Sequence, residues 1–429
     1  MIDIKKRTLS NGVRVVTVPM KGTQAVTALV LVKTGSKYET KELSGASHFL
    51  EHLFFKGSQK YPSPKALSEA MDRLGAEFNA FTWTEETGYY VKTAKTNAEK
   101  AVAIVGDMLA HPKFSHAEMD RERGVIIEEL NMYRDTPMRR IYDVWREVLY
   151  GNQALGRDVG GTPKTISAMT HRQITNHFRT YYRGGNVVVC LAGAVSHQSA
   201  LTWAGKHFRG IAEGPTLSFV PVSETQDEPR LRIERKKTDQ THVALGFRGV
   251  SLTHPKRHAI AVLASLLGGM MSARMFMTVR EKLGLAYSIR TTADFDTETG
   301  SIVTIGGIKN DGVERALAAI LAEYARIRTT APPAAEVRKA KESMIGRFVL
   351  GLEQTDEVAN YLASQELLLG RIETPEEEIA AIRRVTPSDV RVVARMLFRP
   401  ETLNLAMIGP DSATAHWGKL LRTFPSSRT

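Results

Sequence analysis

The strongest constraint on this 429-residue chain is an internal duplication. The run Ala25 to Gly35 reads as an apolar strand closed by a glycine turn, and Thr241 to Gly249 repeats it with the same Thr-to-Gly spacing. Each is followed by an apolar stretch of helical character that ends at glycine, Ala46 to Gly57 and His258 to Gly268. Gly75 and Gly284 then open two strand-like segments, closed at Thr87-Gly88 and at Thr299-Gly300. Each half finishes with a Thr-Pro helix opener (Thr162-Pro163 and Thr374-Pro375) and a last apolar strand, Asn186 to Ala192 and Leu403 to Ile408. A repeat of ~210 residues signals two copies of one domain, because solenoid units run to about 20–50 residues. Hairpin strands with segregated helices predict the α+β class. The Pro-rich, polar stretch 213–230 reads as a linker, which sets a first domain at 1–212 and a homologous second domain at 231–429.

Composition narrows the function classes. Hydrophobic residues make up 42% of the chain, enough for two buried cores. The net charge of +12 arises from Lys and Arg scattered along the whole length, which predicts a basic solvated surface and no nucleic-acid partner. The lone cysteine, Cys190, lies inside an apolar run, so it reads as a buried hydrophobe and no disulfide framework is possible. No segment approaches the ~18 uninterrupted apolar residues of a membrane span, and the N-terminus carries no secretory pattern. These features predict a soluble, cytoplasmic protein.

The chemistry is concentrated in His48-Phe49-Leu50-Glu51-His52. Two histidines four residues apart share one face of a helix, and Glu51 projects near the same edge. Two neutral imidazoles can bind Zn²⁺ at about 2.0–2.1 Å while the neighbouring carboxylate takes a proton from the attacking water. The order inverts the His-Glu-x-x-His zinc motif. The plain alternative, a packing helix, would bury three titratable groups together to no purpose. A catalytic zinc needs a third protein ligand, and the acidic helix Arg121 to Leu130 offers it. Glu129 and Glu122, two turns apart, share a face, so Glu129 can ligate while Glu122 hydrogen-bonds a ligand imidazole; Glu128 is the next candidate.

These residues resemble the pitrilysin or insulinase family of inverzincin metallopeptidases, and most closely its bacterial relatives of mitochondrial processing peptidase. Gly35-Ser36-Lys37-Tyr38-Glu39, Leu43 through His52 and Phe55-Lys56-Gly57 look like its first-half signature. The resemblance covers nearly the whole chain. It implies His48, His52 and Glu129 as ligands of one zinc per chain, Glu51 as the general base and Glu122 beside a ligand histidine. It further implies that Phe78, Asn79, Ala80 and Phe81 form an edge strand to which a peptide substrate adds. In the second copy Ala259, Val262 and Leu263 stand where His48, Glu51 and His52 stand in the first, so that copy cannot bind zinc. Its Arg280 and Tyr287 resemble the family's pair of donors to the scissile carbonyl.

The family's larger members close a chamber with four such domains. Two domains amount to half of a clamshell, so a homodimer is expected, with Arg280 and Tyr287 serving the zinc site of the opposite protomer. The expected function is a zinc endopeptidase or oligopeptidase acting on extended peptides. The alternative is a non-catalytic subunit on the same fold, against which the intact set of His48, Glu51, His52 and Glu129 argues. The glycine-rich Leu267 to Arg274 lacks the Gly-Lys-Ser/Thr ending of a phosphate loop, which excludes nucleotide binding there.

Overall fold

The computed structural model describes residues 3–411 and 413–425. The first sheet contains β1 (Lys5–Thr8), β2 (Arg14–Pro19), β3 (Ala25–Val32), β4 (Glu77–Thr82), β5 (Thr87–Ala94) and β6 (Val187–Gly193), in the order β1-β2-β6-β3-β5-β4. The second contains β7 (Arg230–Arg235), β8 (Gln240–Arg248), β9 (Ala286–Phe295), β10 (Gly300–Lys309) and β11 (Leu403–Gly409), in the order β7-β11-β8-β10-β9. Apart from the extra edge strand β1, the two orders superpose strand for strand. The one parallel pairing recurs in the same place, β2 with β6 and β7 with β11. The fold is α+β, and the duplication read from the sequence is visible as matched topology.

The central strands are largely apolar and buried because both of their faces are covered. Along β6, Val187, Val189 and Leu191 pack toward the core that contains the helix Ala46–Phe54. The alternate residues Val188, Cys190 and Ala192 pack against Val358, Ala359 and Leu362 of the helix Thr355–Leu369. Cys190 is therefore sealed in a purely apolar layer, and burial pushes its thiol up to about 12.

That covering helix comes from the second half of the chain. In return, the helix Pro137–Tyr150, from the first half, covers β8, β10 and β11 with Ile141, Val144, Trp145 and Val148. The chain accordingly forms two compact units that are discontinuous in sequence. The first holds residues 1–131, 158–220 and 349–376; the second holds 132–157, 221–348 and 377–429. The stretch 213–230 is divided between them. Its first part is pinned to the first unit where Gly185 donates to the Gly214 carbonyl and the Lys37 ammonium lies 3.5 Å from the Phe219 ring centre.

The helix Ala46–Phe54, which carries the His-x-x-Glu-His motif, is held from its N-terminal end. The buried carboxylate of Glu39 accepts hydrogen bonds from the backbone N–H of Gly45 and of Ser47, both at 2.7 Å. These donors are unsatisfied at any helix start, and a negative charge there also meets the favourable end of the helix dipole. Ser47 Oγ lies 3.1 Å from Nε2 of His177, which is buried and held neutral, its pKa lowered by burial to about 4.

Two outcomes test this packing. Leu362→Ala, in the exchanged helix, should cost about 2–5 kcal/mol in denaturant titrations, the usual range for a buried leucine deletion. For His177 the folded pKa of about 4 lies below the value of 6.5 expected unfolded, so the unfolded chain binds the extra proton in between. Stability should be fully present above pH ~6.5 and fall as the pH drops toward 4; His177→Gln should flatten that slope in urea midpoints measured across the range.

Candidate metal centre

The motif helix divides its residues between two environments. Phe49, Leu50, Leu53 and Phe54 are fully buried in the core. His48, Glu51 and His52 take the other side, where they meet carboxylates of the helix His116–Asp135. His48 Nε2 lies 3.6 Å and His52 Nε2 3.2 Å from the same oxygen, Glu129 Oε2. One ligand atom from each of the three residues falls within a cluster less than 4.8 Å across. A tetrahedral ion with bonds of about 2.0–2.1 Å spaces its ligand atoms about 3.3–3.4 Å apart. The two contacts to Glu129 bracket that spacing, so the donor set fits zinc in both chemistry and size. Glu129, the candidate the sequence favoured, joins the cluster, whereas Glu128 is exposed and outside it.

The surroundings orient these donors. His52 Nδ1 lies 3.2 Å from Glu122 Oε2, and the other oxygen of Glu122 accepts from the Lys56 ammonium at 2.7 Å. Burial raises the Glu122 pKa, but the hydrogen bonds from His52 and Lys56 outweigh it and hold the carboxyl below its usual range. An ionised carboxylate only accepts, so Nδ1 carries a proton toward Glu122, an arrangement that would leave Nε2, on the Glu129 side, as the nitrogen available to a metal.

The two imidazoles are driven in opposite directions. Burial and the charge of His52 lower His48 to about 4. Burial also lowers His52, but Glu122 and Glu129 outweigh it and raise the ring to about 9. Two carboxylates converging on His52 thus draw a positive charge into the site, and a bound cation satisfies the same demand.

Glu51 stands apart from the ligand cluster. Burial raises its pKa, and a hydrogen bond from Thr82 Oγ1, 2.6 Å from Glu51 Oε2, partly offsets that rise. A carboxylate with an elevated pKa beside an electrophilic centre has the properties of a general base.

Strand β4 forms the outer edge of the first sheet beside the motif helix, with Phe78 packed against Phe55 at 6.2 Å between ring centres. Asn79 is exposed, and its Oδ1 accepts from the Ala80 N–H at 2.9 Å. Phe81 turns to the opposite face and packs near the exchanged helix. Arg280 and Tyr287 belong to the second compact unit. Arg280 lies on a π-helical turn, Phe276–Lys282, its guanidinium 5.0 Å from the Tyr287 ring, and Tyr287 is 78% exposed. In the same unit Ala259, Val262 and Leu263 are core residues.

Three supporting residues carry no signal of their own in the sequence. Glu39 and Lys56 stand out there only inside signature segments, and Thr82 only as the end of a strand. Lys56 follows the end of the motif helix at Phe54, so helical spacing does not point to it. Glu39 and Thr82 act across turns and between elements, where no local periodicity points to them.

Residues 14–163 match the family described as insulinase (peptidase family M16), and residues 168–344 match the peptidase M16 inactive domain. An uncharacterized zinc protease of Bacillus subtilis, YmxG, is 34% identical over 412 residues, covering 95% of this chain and 98% of that protein. An uncharacterized zinc protease of Streptomyces coelicolor is likewise 34% identical, over 95% of this chain and 90% of its own. Among solved structures, a protease from Helicobacter pylori has the same fold, with a TM-score of 0.89 at 24% identity over 96% of this chain and all of that one. With the insulinase match lying over the His-x-x-Glu-His half and relatives of this identity spanning the full length, the chain belongs to the M16 family of peptidases.

Proposed function

We propose that this protein is a zinc-dependent endopeptidase or oligopeptidase that hydrolyses extended peptides. The observation that carries the proposal is the convergence of His48, His52 and Glu129 on one point, with the separately held carboxylate of Glu51 on the same helix. A non-catalytic subunit has no use for such a cluster, which is costly to bury. When bound, one zinc per chain would supply Lewis acidity toward the scissile carbonyl and toward water. His48, His52 and Glu129 would hold it, and Glu122, anchored by Lys56, keeps His52 in the ligating tautomer. Glu51 accepts the proton of the attacking water and returns it to the leaving amine.

The substrate binds as a strand added to β4 along Phe78, Asn79, Ala80 and Phe81, which requires it to be extended. The homodimer and a chamber closed by two chains are part of the same proposal. In it, Arg280 and Tyr287 of one protomer donate hydrogen bonds to the carbonyl oxygen at the other protomer's metal. The adjacency of Arg280 and Tyr287 and the exposure of Tyr287 support that role. No helix among the described residues is long and apolar enough to cross a membrane, and the only cysteine is a buried thiol; both fit the cytoplasmic setting included in the proposal.

Glu51→Gln should retain about one zinc by elemental analysis yet lose ~10²–10⁴-fold in peptide hydrolysis, because it removes the base and spares the ligands. Glu129→Ala should lose the metal itself; full zinc occupancy in that variant would remove it from the ligand set. The dimer is tested by subunit mixing. Glu51→Gln and Tyr287→Phe should each be nearly inactive, and random exchange of the two should restore roughly a quarter of the sites, since half the dimers are mixed and each has one intact site. Exchange without recovery would place the Arg280 and Tyr287 pair within its own chain.

A further inference from the structure

The hydroxyl of Thr82 donates a 2.6 Å hydrogen bond to Glu51, and Thr82 is the last residue of β4. Its backbone is placed by the hairpin. Trp83 N–H donates to the Glu86 carbonyl across the turn, and β4 pairs with β5 in the register Thr82 with Thr87, Phe81 with Gly88 and Ala80 with Tyr89. Hydrogen-bonded and non-hydrogen-bonded pairs alternate along an antiparallel ladder. Phe81 and Asn79 therefore exchange bonds with β5, whereas Thr82, Ala80 and Phe78 turn their N–H and C=O groups outward to the open edge. The hydrogen bond from Ala80 N–H to the Asn79 side chain agrees with that alternation. Side chains alternate as well, so Phe78, Ala80 and Thr82 share the face that looks toward the motif helix.

Thr82 thus meets the open edge with its backbone and the carboxylate of Glu51 with its side chain. The turn that follows is fixed against the loop at Gly35. Ser36 N–H donates to the Trp83 carbonyl at 3.3 Å and Lys37 N–H to the Thr84 carbonyl at 2.9 Å. A β-carbon on Gly35 would stand 2.2 Å from the Trp83 carbonyl oxygen, so only glycine permits this approach. The Lys37 ammonium adds a buried ion pair to Glu85 at 2.5 Å. The turn that follows Thr82 is thus tied to the Gly35 loop by two backbone hydrogen bonds and an ion pair.

We propose that Thr82 is a positioning residue that sets Glu51 in register with a peptide paired to β4. This inference rests on the peptidase reading above. One residue fixes both the substrate backbone and the proton acceptor, so a peptide docked on the edge arrives with the base already aligned. Without the hydroxyl, Glu51 Oε2 loses its hydrogen bond from the strand and the carboxylate is free to rotate away.

The test uses Thr82→Val, which keeps shape and strand preference, and Thr82→Ser, which keeps the hydroxyl, both as full-length protein. With a fluorogenic peptide, Thr82→Val should lose ~10–100-fold in kcat, the usual effect of removing such an outer partner, with KM and zinc content unchanged. Thr82→Ser should recover most of the loss. In a Glu51→Gln background, Thr82→Val should cause no further loss of the residual rate. Crystal structures should show the Glu51 carboxylate displaced in Thr82→Val and retained in Thr82→Ser. An undisplaced carboxylate, wild-type kcat in Thr82→Val, or an equal loss in the Glu51→Gln background would overturn the inference while leaving the peptidase reading intact. A zinc-loaded wild-type protein that cleaves no peptide would instead overturn the peptidase reading, and this inference with it.

Discussion

Two imidazole nitrogens and a carboxylate oxygen brought within 4.8 Å of one another create a demand for positive charge that the surrounding fold has to withstand. The oppositely shifted histidines display that demand: one ring is kept neutral by burial while the other draws a proton between two carboxylates. A bound cation would satisfy that demand, and the elements around the cluster hold its three residues together. The helix His116–Asp135 contributes both carboxylates from one face, so the distance between its Glu122 and Glu129 is set by two helical turns and not by loop geometry.

The supports reach the site from independent directions. Glu39 caps the motif helix, His177 meets Ser47 in its first turn, Lys56 anchors Glu122, and Thr82 reaches Glu51 from the sheet edge. Each is a buried or half-buried polar contact, worth more there than at the surface because an unmade partner would be left in a low-dielectric interior. The geometry of the cluster is therefore fixed by contacts distributed over the first sheet and the helices around it.

The duplication gives two copies of one topology with different residues at the three motif positions. Both copies keep the same strand order and the same parallel pairing, and the second fills the three motif positions with Ala259, Val262 and Leu263 in its core. Each sheet has a second apolar face that its own half leaves uncovered. The exchanged helices Thr355–Leu369 and Pro137–Tyr150 close those faces. Neither half of the sequence contains all of the packing that its sheet requires.

Much of this was legible in the sequence because it depends on short-range periodicity. The spacing of His48, Glu51 and His52, the shared face of Glu122 and Glu129, and the glycine turns that end each repeated strand follow from helix and strand geometry alone. The largely apolar runs at β3, β6, β8 and β11 were legible as strands, but not which segments would cover their two faces. Periodicity is a property of neighbours, whereas the exchange of helices pairs segments far apart in the chain. The Glu39 cap and the bond from Thr82 to Glu51 were likewise decided only in three dimensions. Each depends on the angle at which one element meets another, and that angle is set by the packing of whole faces.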